Sequence, residues 1–502
     1  AVTVLETGRD RIEEALRELV MDKRIRIIKK GDERQVYSSR LYKLEAQTAC
    51  MLNDLNINRD ADEEHIKALI DSVTENSGIT LADNQRLAVE QAMKRGVMVI
   101  TGGPGTGKTT IINTLIRLLE IEGGEYLLAA PTGRAAKRMS EATGRHASTI
   151  HRLLEFSGDP EGEVGVGRDS GEPLEADFII IDEMSMVDTY LFNLLLKAIL
   201  PGTTLVLVGD VDQLPSVGPG RVLNHIIESE MFCVVALNEI FRQARESDIV
   251  VNAHRINAGE AISMDNDSKD FFFLERNDPA TVTAVILDLI TRKVPSYLKI
   301  DPTDIQVLSP AKKGVLGVEN LNVVLREKLN PKDSTKGEHL REDGVLFREG
   351  DKVMQIKNDY QLEWEVKGSF GNTLSAGTGV FNGDIGRVRV IDDFLSVVTV
   401  EFDDGHLVDY SYKQIDELSH AYALTVHKSQ GSEYPVMIMP VLYIPRPLSN
   451  RNILYTAVTR AKSMVFLVGD RGNVAEMISR TRQDMRYCGF LDRLLEVKEG
   501  VL

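Results

Sequence analysis

The stretch from Met98 to Thr110 constrains this chain more than any other. Val97 to Ile100 is an apolar run that predicts a buried strand. It leads into Gly102-Gly-Pro-Gly-Thr-Gly-Lys-Thr109, which fits the phosphate-loop pattern G-x-x-x-x-G-K-[ST] with no mismatch. Ile111, Ile112, Leu115, Leu118 and Leu119 then fall at helical spacing. Strand, glycine loop and helix, in that order, let backbone N–H groups converge on phosphate oxygens at a helix N-terminus. The candidate phosphate-binding residues are therefore Gly103, Gly105, Thr106, Gly107, Lys108, Thr109 and Thr110. Lys108 would reach β- and γ-phosphates, and the Thr109 hydroxyl would hold Mg²⁺.

Two further strand ends carry matching chemistry. Phe178-Ile-Ile-Ile-Asp182-Glu183 is an apolar run closed by two carboxylates. At the C-terminal end of a strand they would lie beside the phosphate loop, where open α/β sheets bind ligands. Asp182 would hold the metal, and Glu183 would orient or deprotonate the attacking water. Leu205-Val-Leu-Val-Gly-Asp210 leads to Gln213, which either senses the γ-phosphate or caps its own loop.

Strand candidates at 97–100, 126–130, 178–181, 204–208 and 233–237 alternate with helical segments, and a second alternating set lies at 305–308, 421–426, 436–441 and 464–468. Alternation of this kind implies largely parallel sheets with helices on both faces. Leu207-Val-Gly-Asp210 and Leu467-Val-Gly-Asp470 close comparable strands in the two sets, which suits a duplicated α/β core. Residues 345–413 instead alternate apolar and polar between turn residues, the pattern of a small antiparallel β-barrel inserted into the second set. Within it, Gly368 to Gly379 is glycine- and serine-rich and reads as a mobile loop. Residues 156–175 are turn-rich and suit a short projecting hairpin. Residues 1–75 read as helix, small hairpin and helix, either a winged-helix module or an accessory packing unit. The expected division is 1–75, 80–237, then 238–344 with 414–502, and the insert 345–413.

The chain has 502 residues, 43% apolar and 27% charged, the balance of an ordinary multidomain globular protein. No apolar run approaches a membrane span, and no secretory signal precedes the first domain. A chain beginning at Ala1 reads as a processed product or one lacking an amino-terminal part. Cys50, Cys233 and Cys488 are far apart, and the nine histidines form no ligand cluster. That usage predicts a reducing, cytoplasmic setting without structural zinc. The net charge of −17 argues against a general polyanion binder. Arg134, Lys137, Arg138, Arg145 and Arg152 nonetheless cluster, as do Arg480, Arg482 and Arg486. The first cluster is either a narrow track for one nucleic-acid strand or a solvated helix face.

With these words in place, the chain resembles superfamily-1 helicases and, more closely, their RecD-like group. Motifs in family order span roughly 80–470. Asn84-Gln85 resembles the adenine-recognising glutamine motif. Ala130-Pro-Thr-Gly-Arg-Ala-Ala136 and Ser148-Thr-Ile-His-Arg152 resemble the motifs that contact single-stranded DNA, which implies that role for Pro131, Thr132, Thr149 and His151. Glu239-Ile-Phe-Arg-Gln243 implies a γ-phosphate contact from Arg242. The word Leu424 to Glu433 implies DNA contact through Thr425 and His427, and linkage to nucleotide through Glu433. Leu454 to Ala461 implies that Arg460 reaches across to the γ-phosphate. Phosphoryl transfer needs such positive charge on the equatorial oxygens, although either arginine could serve as a structural ion-pair partner.

The resulting expectation is an α/β protein with two RecA-like P-loop domains, a small β-barrel insert and an amino-terminal module. It would use ATP and Mg²⁺ to move 5′→3′ on single-stranded DNA and to unwind duplexes at single-strand junctions, with no membrane attachment. The polarity comes from the resemblance alone. An RNA helicase of the same superfamily and a P-loop ATPase acting on a small molecule are the alternatives.

Overall fold

A strand made wholly of apolar residues has to be covered on both faces, as in an open parallel sheet flanked by helices. Val97, Met98, Val99 and Ile100 are all fully buried in this way. The computed structural model describes residues 6–31, 33–158, 164–239, 246–368, 371–481 and 488–502.

The chain opens with helix α1 (Arg9–Met21), the hairpin of β1 (Ile25–Lys30) and β2 (Glu33–Ser38), and helix α2 (Ser39–Leu55). Helices α3 (Glu63–Ser77) and α4 (Asp83–Lys94) follow. The first α/β set comprises β3 (Val97–Gly102), α5 (Lys108–Glu122), β4 (Tyr126–Ala130), α6 (Gly133–Thr143), β5 (Ser148–Thr149) and α7 (Ile150–Leu153). It continues through the hairpin of β6 (Phe156–Gly158) and β7 (Val164–Val166) to β8 (Phe178–Ile181), α8 (Thr189–Lys197), β9 (Thr204–Gly209), α9 (Val222–Glu228) and β10 (Cys233–Leu237). Six strands pair in parallel in the order β10-β3-β9-β8-β4-β5.

Strand periodicity divides the core. Val97, Val99, Ile179, Ile181, Leu205 and Leu207 face α2, α8 and α9. Their neighbours Met98, Ile100, Phe178, Ile180, Val206 and Val208 face α3, α4 and α5. The amino-terminal helices α2 and α3 therefore belong to the packing of the first sheet. Thr48 Oγ1, in α2, also accepts a 2.9 Å hydrogen bond from Asn193 Nδ2.

The second set comprises α10 (Asp248–Ala258), β11 (Phe271–Glu275), α11 (Pro279–Asp288), β12 (Ile305–Ser309) and α12 (Val318–Leu329). It resumes with β22 (Ala423–Thr425), β23 (Tyr434–Val441), α13 (Arg451–Val458), β24 (Ala461–Gly469) and α14 (Arg471–Ser479). Its parallel order is β11-β24-β23-β12-β22. Strand β11 was not among the expected ones, although Phe271-Phe-Phe-Leu274 is an apolar run. The last helix, α15 (Phe490–Lys498), lies within 414–502, the segment grouped with the second set on sequence order. Phe490 and Leu494 are instead buried in the core of the first sheet with Ala49 and Leu52.

Between the two parts of this set runs a small ladder of β13 (Glu338–Leu340) with β14 (Leu346–Arg348). It is followed by β15 (Lys352–Gln355), β16 (Asp359–Lys367), β17 (Thr373–Val380), β18 (Ile385–Asp392), β19 (Val397–Phe402), β20 (Leu407–Ser411) and β21 (Leu418–His420). These seven strands form one antiparallel sheet in the order β17-β16-β20-β19-β18-β15-β21. Val353, Val388, Val398, Val400, Val408 and Tyr410 are buried on its apolar face. Most of the stretch expected as a mobile loop, 368–379, is strand: β17 pairs with β16 from Thr373↔Lys367 to Val380↔Asp359. Main-chain pairing outweighs weak side-chain propensity here. Gly377 lies under the Trp364 indole, where a Cβ would come within 2.5 Å of Trp364 Cζ2.

Phe490→Ala should cost the first unit about 3–5 kcal/mol, the usual penalty for emptying a buried phenyl site. A denaturant midpoint within error of the parent's would mean that α15 is not part of that core.

Candidate functional site

The first sheet presents three neighbouring strand ends, because β3, β9 and β8 are adjacent in it. After β3 the loop turns through Gly105 (φ +71°) and Gly107 (φ +80°), conformations that side chains resist, and α5 starts at once with Lys108, Thr109 and Thr110. Lys108 Nζ donates to the carbonyls of Gly102 (2.6 Å) and Gly103 (3.0 Å), so the ammonium lies back over its own loop. Thr106 Oγ1 donates to Gly103 O. Gln85 is buried in α4; its Nε2 donates to Thr106 O at 3.0 Å, and its Oε1 accepts from Ala82 N. The glutamine thus braces the loop from behind.

Asp182 and Glu183 follow β8, and both are buried. Glu183 takes a left-handed φ of +54°, which turns its side chain out of the strand direction. Asp182 Oδ1 accepts from Glu183 N at 2.8 Å. Burial, then the neighbouring Glu183 charge, push the Asp182 carboxyl up. Burial would raise Glu183 too, but Arg138, Arg460 and Lys108 outweigh it and hold that carboxyl below its ordinary value. Beyond β9, Asp210 Oδ2 accepts from Gln213 Nε2 (3.2 Å) and from the Tyr455 hydroxyl (2.7 Å). Gln213 Oε1 is buried with no partner among the described residues.

The second sheet offers the other edge of its strands. Glu433 precedes β23 and Arg460 precedes β24, and Tyr434 N donates to Arg460 O at 2.8 Å. Arg460 is 2% exposed; its Nη1 donates to Ser432 O and lies 3.8 Å from Glu183 Oε1. Its Nε has no partner among the described residues. Arg138 of α6 joins the two edges, with Nη2 3.1 Å from Glu183 Oε1 and Nη1 2.8 Å from Glu433 Oε1. Further contacts close the cleft. His254 Nε2 lies 3.2 Å from Pro104 O, Thr456 Oγ1 accepts from Leu214 N, Gln430 Nε2 donates to Leu214 O, and Asn452 Nδ2 donates to Asp212 O. A Cβ on Gly103 would sit 3.0 Å from the Tyr455 hydroxyl, so glycine permits this approach.

Beside the cleft runs a channel of about 670 Å³ lined by both sheets and by the antiparallel unit. Pro131, Thr132, Thr149, His151 and His427 all line it. Thr425 does not; its hydroxyl accepts from Lys428 N and caps the turn after β22. Thr132 caps α6 through Ala135 N, and Thr149 caps α7 through Arg152 N. An aromatic row that sequence reading missed borders the channel. His151 meets Phe156 edge-on, Phe156 stacks with Tyr360 at 6.2 Å, and Tyr360 meets Phe381. The β6–β7 hairpin and the antiparallel unit therefore touch across it. Burial pushes the His151 imidazole down.

The basic run 134–152 is divided: Arg134 and Arg138 are half-buried, and Lys137, Arg145 and Arg152 are exposed. Arg134 bonds Ser432, Tyr434 and Asp403; Lys137 bonds Asp403 O; Arg152 lies over the Phe381 ring at 4.7 Å. Arg145 is paired with Glu120 on the surface. The cations of this run face a second cleft of about 550 Å³, with Arg134, Lys137, Arg138 and Arg152 opposite Asp384, Asp403, Asp404 and Glu433. Buried Lys352 in its wall is pushed down to about 8 by desolvation. Arg242 lies outside the described residues, as do Arg482 and Arg486.

Three family profiles match the chain: an AAA domain over residues 85–219, an ATP-dependent RecD-like DNA helicase SH3 domain over 321–402, and a UvrD-like helicase C-terminal domain over 420–468. The chain is 35% identical over 415 residues to the ATP-dependent RecD2 DNA helicase of Deinococcus radiodurans, covering 82% of this chain but 52% of that protein. It therefore spans about half the length of that relative. It is 30% identical over 446 residues to the RecBCD enzyme subunit RecD of Mycolicibacterium smegmatis, covering 82% of this chain and 75% of that one. Among solved structures, a Bacteroides Pif1 helicase in complex with ADP-AlF3 and single-stranded DNA is 19% identical, covering 84% of this chain and 99% of that chain at a TM-score of 0.46.

Tyr455→Phe removes one buried hydrogen bond to a carboxylate and leaves the ring packing intact. The expected loss is about 1.5–3 kcal/mol, measured by chemical denaturation. An unchanged midpoint would show that the Tyr455–Asp210 bond does not hold the cleft together.

Proposed function

We propose that this chain, which belongs to the RecD-like group of superfamily-1 helicases, is an ATP-hydrolysing motor that moves 5′→3′ along single-stranded DNA and unwinds duplexes at single-strand junctions. One observation carries the reading. Asp182 and Glu183, beside the phosphate loop of one sheet, meet Glu433 of the other through Arg138 and meet its Arg460 directly, beside a channel both sheets line.

In this reading the ATP phosphates take the place of the Gly102 and Gly103 carbonyls on Lys108, and Gln85, assigned to the adenine by its motif, exchanges its bonds to Thr106 O and Ala82 N for the base. Thr109 and Asp182 are hard oxygen donors that fit Mg²⁺, and a carboxylate already pushed up by burial and then by its neighbour is a site that gains from a cation. When bound, the ion would shield the charge between the β- and γ-phosphates. Glu183 accepts a proton from the water that attacks the γ-phosphorus as the bond to the bridging oxygen breaks, leaving ADP and phosphate. Gln213, through its unpaired Oε1, senses the γ-phosphate. Arg460, with Arg242 assigned the same role by its motif, adds charge from across the cleft, so hydrolysis is tied to cleft closure. Glu433 links the nucleotide to the strand contacts.

Pro131, Thr132, Thr149, His151, Thr425 and His427 are assigned to the single strand. We read 80–237 and 238–344 with 414–481 as the two RecA-like domains, with α15 returning to the first. Residues 1–75 are the accessory module. The unit around 345–413 is read as a small β-barrel that holds the strand in the channel, and the 156–175 hairpin as the element facing the junction. The antiparallel ladder, its one apolar face and the aromatic contacts across the channel support this reading.

Steady-state ATP hydrolysis measured without polymer, with single-stranded DNA and with RNA tests the proposal. DNA should raise the rate more than RNA, and Glu183→Gln should lower the DNA-stimulated rate by about 10²–10⁴ while ATP still binds. A rate indifferent to DNA would favour a small-molecule ATPase, and stronger stimulation by RNA would favour an RNA helicase.

A further inference from the structure

Arg138 belongs to the basic run yet spends its charge on the hydrolytic carboxylates. Its Nη2 lies 3.1 Å from Glu183 Oε1 and 3.6 Å from Asp182 Oδ2, while Nη1 lies 2.8 Å from Glu433 Oε1. The contact to Glu183 is shorter than the 3.8 Å between Arg460 and the same oxygen. An arginine here cannot take a proton from water, and while it occupies a lone pair of Glu183 that pair is unavailable to water.

The helix that carries Arg138 also lines the strand channel. Thr132, the N-cap of α6, faces the channel with Pro131, Gly133 and His427. Arg138 lies six residues further along the same rigid helix, about 9 Å at 1.5 Å per residue. The amino-terminal end of α6 is tied to the segment carrying Glu433. Arg134 bonds Ser432 and Tyr434, and Gly431 (φ +72°) approaches so closely that a Cβ there would lie 2.7 Å from Thr132 Oγ1. Glu183 is fixed to β8 of the first sheet, and α6 packs on the same sheet through Ala135, Ala136 and Met139, so the helix parts from Glu183 only by sliding on that apolar contact. A displacement of α6 together with 431–434 would therefore keep Arg138 with Glu433 and draw it off Glu183.

We propose that Arg138 is a positioning residue that blocks Glu183 in the strand-free protein, and that single-stranded DNA at the amino-terminal end of α6 releases the block by moving the helix. Arg138 is thus the link through which an occupied channel switches on hydrolysis. The inference rests on the helicase reading above.

The test compares DNA-free and oligo-dT-saturated ATP hydrolysis for the parent, Arg138→Gln and Arg138→Lys. Arg138→Gln should raise the DNA-free rate by about tenfold to a hundredfold, the size of a charge-assisted hydrogen bond removed from Glu183. Its DNA-saturated rate and KM for ATP should stay within about threefold of the parent's, so the stimulation ratio collapses through kcat. Lysine keeps the charge but not the planar fork that bridges two carboxylates, so Arg138→Lys should fall between. A DNA-free rate at or below the parent's in both variants overturns the inference, as does a fall in the DNA-saturated rate of the size expected for a phosphate-contacting arginine, about 10³-fold or more. A parent that DNA does not stimulate overturns the helicase reading itself, a result distinct from a stimulated parent with unchanged variants.

Discussion

Two parallel sheets, each covered by helices on both faces, can share chemistry only along the edges where their strands begin and end. In this protein the ends of β3, β8 and β9 face the beginnings of β23 and β24. Everything at the site follows from that meeting. The phosphate loop, Asp182, Glu183 and Asp210 come from one edge, and Glu433 and Arg460 from the other. Neither set is complete alone. A buried carboxylate pair without the second edge would lack Arg460, one of the cations that hold Glu183 down, and Arg460 without the first would be a buried cation short of a partner.

The α/β pattern was legible because apolar runs and glycines act locally. The five expected strands of the first set lie where the sequence puts them, and the phosphate loop takes its left-handed turns at Gly105 and Gly107. Contacts between distant segments were not legible. Arg138 sits in a run of cations whose spacing reads equally as a strand track or a solvated face; only the fold brings Glu183 and Glu433 to it. Phe156, Tyr360 and Phe381 are ordinary aromatics until two hairpins meet. The repeated word Leu-Val-Gly-Asp does close a parallel strand in each sheet, third in one order and second in the other, but Asp210 receives the Tyr455 hydroxyl in the cleft, whereas Asp470 caps α14 through Asn473 N. Identical local sequence therefore did not specify the partner. The stretch 368–379 is the converse case: its composition argued for a loop, and pairing with β16 makes most of it a strand.

The charge distribution follows the same logic. In a chain of net charge −17, Arg134 and Arg138 are half-buried against carboxylates of other segments, while Lys137, Arg145 and Arg152 are exposed. The channel combines hydroxyls, histidines and aromatic faces with the cations Arg134 and Lys428, a combination that single-strand grooves use. Helix α6 carries both the cap facing the channel and the arginine facing the carboxylates, so the proposed coupling of strand to hydrolysis needs only one rigid body.

The split site is tested most directly by Arg460→Ala, with ATP affinity measured by equilibrium binding and hydrolysis by single turnover on single-stranded DNA. An arginine that acts only when the cleft closes on ATP should leave affinity within a few-fold of the parent's. It should slow the single-turnover step by about 10³–10⁵. An unchanged step, or a loss of affinity as large as the loss of rate, would contradict a hydrolytic site shared between the two sheets.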